Sequence, residues 1–96
     1  MNDDDFLETI GIITAMRSKM FTSEIAQRNY NKKEGYTYVA KDEYLDLPKK
    51  MLGIDENTFL TIMAGVGNIQ KNKQGGYFYN ILCNGKIVEC VKVNIK

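Results

Sequence analysis

Asp42, Glu43 and Asp46 place three carboxylates close together, a spacing at which oxygen ligands could gather around a hard cation. Lys49 and Lys50 follow three and four residues beyond Asp46, however, and on a helix that is ion-pair spacing. The segment therefore reads as a solvated face that pairs with itself. The chain contains no histidine. That removes the usual general base, the Ser-His and Cys-His nucleophile pairs and every imidazole metal site, and it argues against hydrolytic catalysis. AGVGN at 64–68 and the pair Gly75-Gly76 are glycine-rich enough to suggest phosphate cradling. Neither carries the Lys-Ser/Thr ending of a phosphate-binding loop, so both read as turns. No enzymatic activity, cofactor or metal is expected.

Aromatic side chains offer a different chemistry, the stacking of bases from single-stranded nucleic acid. Tyr77, Phe78 and Tyr79 are consecutive, and strand alternation turns Phe78 away from the other two. Only Tyr77 and Tyr79 could share a platform, and plain sheet packing or a subunit contact is the preferred reading. Cys83 and Cys90 are the two cysteines. With Asn84-Gly85 as a two-residue hairpin turn, Cys83 faces Lys86 and Cys90 faces Tyr79. The sulfurs then lie on the order of 13 Å apart along the ladder, too far to bridge. Two free thiols suit a reducing compartment.

The elements that must position these groups follow from periodicity. Phe6, Ile10, Ile13, Met16 and Met20 form one apolar stripe of a first helix, with Asp3, Asp4 and Asp5 where the helix dipole favours anions. Thr22 or Ser23 can cap a short second helix through Gln27. Residues 35–40, GYTYVA, fit a short strand. Asp42 can cap a helix through Leu52, but Pro48 inside it would remove a hydrogen bond and clash with the preceding turn, costing roughly 3 kcal/mol. Pro48 fits better in a first turn, leaving residues 49–52 as little more than one turn. Residues 56–66 fit a helix capped by Asp55, with Phe59, Ile62, Met63 and Val66 on one stripe, and fit a strand equally well. Residues 77–83 and 86–95 form a hairpin whose core face carries Phe78, Leu82, Ile87, Val91, Val93 and Ile95. The opposite face, with Tyr77, Tyr79, Ile81, Val88 and Cys90, is too apolar for full exposure. Either the first helix or a second subunit covers it, which makes a homodimer an expectation.

The length bounds the chain to one domain, 1–96, and the composition of 44% hydrophobic and 26% charged residues is that of a folded protein, with disorder expected only in residues 1–5. The longest nearly apolar run, 59–66, is far short of the roughly 20 residues a bilayer needs, and no basic-then-apolar leader opens the chain. No membrane association and a cytoplasmic location are expected. Net charge is +1, which gives no global attraction to nucleic acid. Its distribution alternates. Residues 3–8 carry four acids and no base, 17–41 six bases and two acids, 42–56 five acids and two bases, and 71–96 five bases and one acid. A fold could gather the two basic blocks on one side.

From Gly35 the run GYTYVAKDEYLDLPKKMLGIDENTFLTIM resembles the middle of a winged helix-turn-helix domain: short strand, supporting helix, a Leu-Gly-Ile turn at 52–54, then a second helix. The resemblance covers residues 6–83. It implies that NIQKNKQGGYFYNIL forms the wing, with Lys71 and Lys73 near its tip, and that DENTFLTIMAG is the recognition helix. That helix has no Lys or Arg, so base reading would rest on Asn57, Thr58 and Thr61. The same residues also resemble the swapped-hairpin DNA-binding domains of the AbrB and MazE kind, where a strand ending in LDLP would lead into a helix and the LGI sequence, with a further strand at FLTI. That resemblance explains Pro48.

The fold class expected is α+β, N-terminal helices packed on a C-terminal antiparallel hairpin or small sheet, winged-helix-like in order. The function expected is that of a small regulatory protein binding double-stranded DNA. Lys71, Lys73, Arg17 and Lys19 would contact phosphates, and Asn57, Thr58 and Thr61 would lie nearest the bases. The rival expectation is a non-enzymatic module that binds or inhibits a larger protein partner, motivated by the missing basic residues in 55–65 and by the apolar character of both hairpin faces.

Overall fold

The computed structural model describes residues 22–95, and for 47–52 the backbone alone. The first helix expected from the apolar stripe of residues 6–20, together with Arg17 and Lys19, lies outside the described residues. The chain order is helix α1 (Glu24–Arg28), strand β1 (Tyr36–Ala40), helices α2 (Lys41–Leu52) and α3 (Glu56–Gly65), then strands β2 (Ile69–Gln70), β3 (Tyr79–Cys83) and β4 (Lys86–Asn94). The architecture is mixed α and β, with a small antiparallel four-stranded sheet and three helices among the described residues.

Local chemistry accounts for most of these boundaries. Ser23 accepts from the Ala26 N–H and opens α1. The strand expected over 35–40 forms as β1. It runs directly into α2, whose first turn carries Asp42 and Glu43 at the favourable end of the helix dipole. Contrary to the sequence expectation, α2 continues through Pro48 rather than restarting there. The ring still removes one intrahelical hydrogen bond. Tertiary burial outweighs that loss: Tyr44 and Leu45, one turn earlier, are core residues, and Gly53 at φ +64° sets the exit into α3.

Residues 56–65, equally compatible with helix and strand in sequence, are helical. Asp55 caps α3, accepting from the Thr58 N–H. At the other end the Asn68 N–H reaches the Met63 carbonyl at 2.9 Å and the Gly67 N–H reaches the Ala64 carbonyl at 3.2 Å. This paired closure requires a residue with positive φ at 67, and Gly67 sits at +80°. The extended state that the swapped-hairpin likeness needs in this segment is therefore absent. What selects the helix is burial of Phe59, Leu60 and Met63 on one side of it.

β4 is the spine of the sheet. β1 pairs with its C-terminal half, Tyr36↔Asn94 to Ala40↔Cys90. On its other edge lie β2, with Ile69↔Val93 and Gln70↔Lys92, and β3, from Tyr79↔Cys90 to Cys83↔Lys86. β2 and β3 thus follow one another along the same edge, and residues 71–78 loop out where Val91 alone would need a partner. The β3–β4 hairpin has the expected register. Its turn, Asn84 at φ +53° and Gly85 at +76°, has the paired positive φ of a two-residue hairpin loop.

The core lies between the helices and one face of the sheet. Val39, Val91, Val93 and Ile69 from the strands meet Ala26, Tyr44, Leu45, Phe59, Leu60 and Met63 from the helices. The Tyr44 and Phe59 rings lie 5.7 Å apart, tilted by 47°. The polar atoms in this core have partners. Thr37 donates to the Ala26 carbonyl and the Tyr44 hydroxyl donates to Asn68 Oδ1. Burial holds the Tyr44 phenol well above the ordinary tyrosine range, so it stays a donor.

The expected core face of the hairpin is corrected in part. Val91 and Val93 are fully buried, but Leu82 and Ile87 remain 68% and 66% exposed. They point to the same side as the core valines, yet α2 and α3 pack over β1, β2 and β4, and among the described residues Leu82 and Ile87 are left uncovered. On the opposite face Cys90 is buried and Tyr79, Ile81 and Val88 are half-buried. Tyr77 does not belong to that face, because β3 begins only at Tyr79 and Tyr77 packs toward the core and α3.

Candidate functional site

α3 turns Phe59, Leu60 and Met63 inward, and the 3.6-residue repeat leaves Asn57, Thr58 and Thr61 exposed on its outer side. Two of the three hydroxyl and amide groups expected to read bases are already engaged. Thr58 donates its hydroxyl to Asp55 Oδ2 at 2.6 Å, completing the cap. Thr61 donates to the Asn57 carbonyl at 2.8 Å and lies 3.2 Å from the Tyr77 hydroxyl.

Tyr77 belongs to the looped-out segment 71–78, and this is how the basic loop reaches the helix. Asn72 organises the segment from within. Its N–H donates to the Gly76 carbonyl at 2.8 Å, and its Oδ1 accepts from the Gln74 and Gly76 N–H groups, both at 2.9 Å. Its Nδ2 donates to the Phe78 carbonyl at 2.9 Å. Lys71 lies with its ammonium 5.7 Å from the centre of the Tyr77 ring. Thr61, Tyr77 and Lys71 therefore form one continuous surface, and Lys73 is exposed in the same loop. This segment is not a two-stranded wing: β2 and β3 each pair with β4 and not with one another. The hairpin tip is instead Asn84-Gly85, flanked by Lys86.

Acidic groups border the same helix. The Thr58 hydroxyl and N–H bonds hold the Asp55 carboxyl below its usual range, so it is ionised at neutral pH. Glu56 pairs with Lys41 at 3.5 Å, and Lys41 also reaches Glu89 at 3.2 Å and sits 4.6 Å over the Phe78 ring. The bond to Glu89 raises the Lys41 pKa above its ordinary value. A polyanion approaching the N-terminus of α3 meets these carboxylates. One approaching over Thr61 and the 71–78 loop meets Lys71 and Lys73.

A second constellation occupies the outer sheet face. Tyr38 lies 5.6 Å from Tyr36 and 5.5 Å from Tyr79, at interplanar angles of 76° and 65°. The Lys92 ammonium sits 4.1 Å over Tyr36 and 5.8 Å from Tyr79. Burial raises the Tyr38 phenol above its ordinary range, with Tyr36 and Tyr79 adding to the effect. Edge-to-face rings topped by an ammonium are a packing arrangement rather than a flat stacking surface. Tyr79 is thus paired with Tyr38 and not with Tyr77, as a shared platform required.

Cys83 and Cys90 are both free, and burial pushes the Cys90 thiol up to about 11. Among the described residues no group of three or more His, Cys, Asp or Glu is placed to hold a metal ion. No helix among them is long and apolar enough to cross a membrane. Sequence reasoning missed Tyr77 as the bridge between loop and helix and Asn72 as the loop's organiser. An Asn ahead of Gly75-Gly76 was the available signal, since Asn side chains close turns on their own backbone. No protein-family model, no curated protein and no solved structure matches this chain.

Proposed function

We propose that this protein is a small DNA-binding regulatory protein of winged-helix type, in which the basic loop 71–78 stands in for a two-stranded wing, without enzymatic activity. The observation that carries the reading is the contact of Thr61 with Tyr77 at 3.2 Å, which fastens the loop bearing Lys71 and Lys73 to the outer side of α3. Candidate base-reading and phosphate-contacting groups then share one surface. The order of elements supports it too: a short strand, two helices joined at Gly53, and a strand hairpin returning to pair with the first strand. In this reading Lys71 and Lys73 contact phosphates, with Arg17 and Lys19 as further contacts, and Asn57, Thr58 and Thr61 lie nearest the bases. Specificity is modest, because no bidentate Arg serves guanine from α3.

Duplex affinity measured against salt tests this. Four phosphate contacts give a slope near about −3.6 in log K against log salt, and replacing Lys71 and Lys73 with Ala flattens it by about 1.8. Absence of duplex binding at about 50 mM salt, where the electrostatic contribution is strong, overturns the proposal. The exposed cross-strand pair Leu82 and Ile87 favours a second reading, a module that binds or inhibits a protein partner through the hairpin end.

A further inference from the structure

We infer that β3 is a self-pairing edge, and that two copies of this chain join β3 to β3′ in antiparallel fashion to make one continuous sheet. The hydrogen-bond pattern sets the register. Because Cys83 and Lys86 close a two-residue hairpin, Cys83, Ile81 and Tyr79 direct their N–H and C=O groups at β4. Asn80 and Leu82 direct theirs the other way, to the edge that no other strand among the described residues pairs. Two copies related by a twofold axis at Ile81 bring Asn80 opposite the partner's Leu82, and Leu82 opposite the partner's Asn80. Both outward-facing residues then exchange N–H and C=O groups, and no carbonyl or amide is left facing another of its kind.

The side chains agree with this register. Leu82 and the cross-strand Ile87 are the most exposed large apolar residues among the described residues, at 68% and 66%. They share a face, and the twofold sets Leu82 diagonal to its copy, within side-chain reach. The strand itself also lacks the usual protective residues. YNILC contains no charge, no proline and no inward-pointing lysine. The β1 edge is unlike it: Asn31 and Tyr36 exchange backbone bonds at 2.8 and 3.1 Å at its start, and α2 begins directly at its end. The hairpin is braced for pairing, since Arg28 Nη1 donates to Asn84 Oδ1 at 2.9 Å and Asn84 Nδ2 donates to Glu24 at 3.1 Å.

Sedimentation of the full chain, from micromolar to several hundred micromolar, tests the inference beside two variants. Asn80→Pro removes an outward N–H while sparing the bonds to β4, a change edge strands tolerate. Leu82→Lys places a charge beside its own copy. The expected result is a dimer for the wild type, with association weakened at least tenfold, toward monomer, in each variant that retains the wild-type circular dichroism. Amide exchange at Asn80 and Leu82 should slow as wild-type concentration rises. A wild type that stays monomeric throughout overturns the inference. So does a dimer unaffected by Leu82→Lys, which would place the contact on the outer sheet face instead.

Discussion

The hydroxyls of Thr61 and Tyr77 lie 3.2 Å apart, joining a helix to a loop sixteen residues away in sequence. The contact is solvent-exposed, so its loss exchanges one hydrogen bond for bonds to water and costs little stability, within about 1 kcal/mol. Tyr77→Phe should therefore melt close to the wild type and keep the ring beneath Lys71. Tyr77→Ala loses ring and hydroxyl together and frees Lys71. If Lys71 meets a phosphate, the salt slope of duplex binding should fall by about 0.9 in Tyr77→Ala and stay unchanged in Tyr77→Phe. Equal slopes in both variants would separate Lys71 positioning from Tyr77.

Asp55 makes α3 sensitive to acid. Its folded pKa lies below the ordinary value of 3.8, first through the Thr58 hydroxyl and then through the Thr58 N–H. A carboxyl with a depressed folded pKa contributes stability above its unfolded pKa, and that contribution disappears as pH falls through the folded one. Thermal melts between pH 6 and pH 2 should show a loss below the usual Asp range that Asp55→Asn lacks. The Asp55 carboxyl carbon, followed by NMR, should titrate below 3.8.

Pro48 sits within α2, where it removes one backbone hydrogen bond. Pro48→Ala should restore that bond and stabilise the fold by up to about 3 kcal/mol, measured by urea unfolding. A destabilised Pro48→Ala protein would mean that the break in the ladder is itself needed to bring Leu45 and Tyr44 into the core.

Short-range chemistry was legible in the chain alone. Asn84-Gly85 can adopt paired positive φ at low cost, so the hairpin turn and the register of Cys83 against Lys86 follow from two residues. Ser23 and Asp55 carry side-chain acceptors one residue before helical segments, and both serve as caps. Candidate site residues on α3 were legible for the same reason, because an inward stripe at Phe59 and Met63 leaves Asn57 and Thr61 outward once the segment is helical.

That condition is what only packing settled. Residues 56–65 satisfy both periods, and burial of Phe59, Leu60 and Met63 against β2, β4 and Tyr44 selects the helix. Burial of Tyr44 and Leu45 likewise carries α2 through a proline that local preference would place at a helix start. Leu82 and Ile87 alternate with the core valines yet stay exposed, since alternation assigns a face and only the extent of the helices decides whether that face is covered. The junction of Thr61, Tyr77 and Lys71 depends on β2 and β3 sharing one edge of β4, a pairing between distant segments that no local pattern encodes.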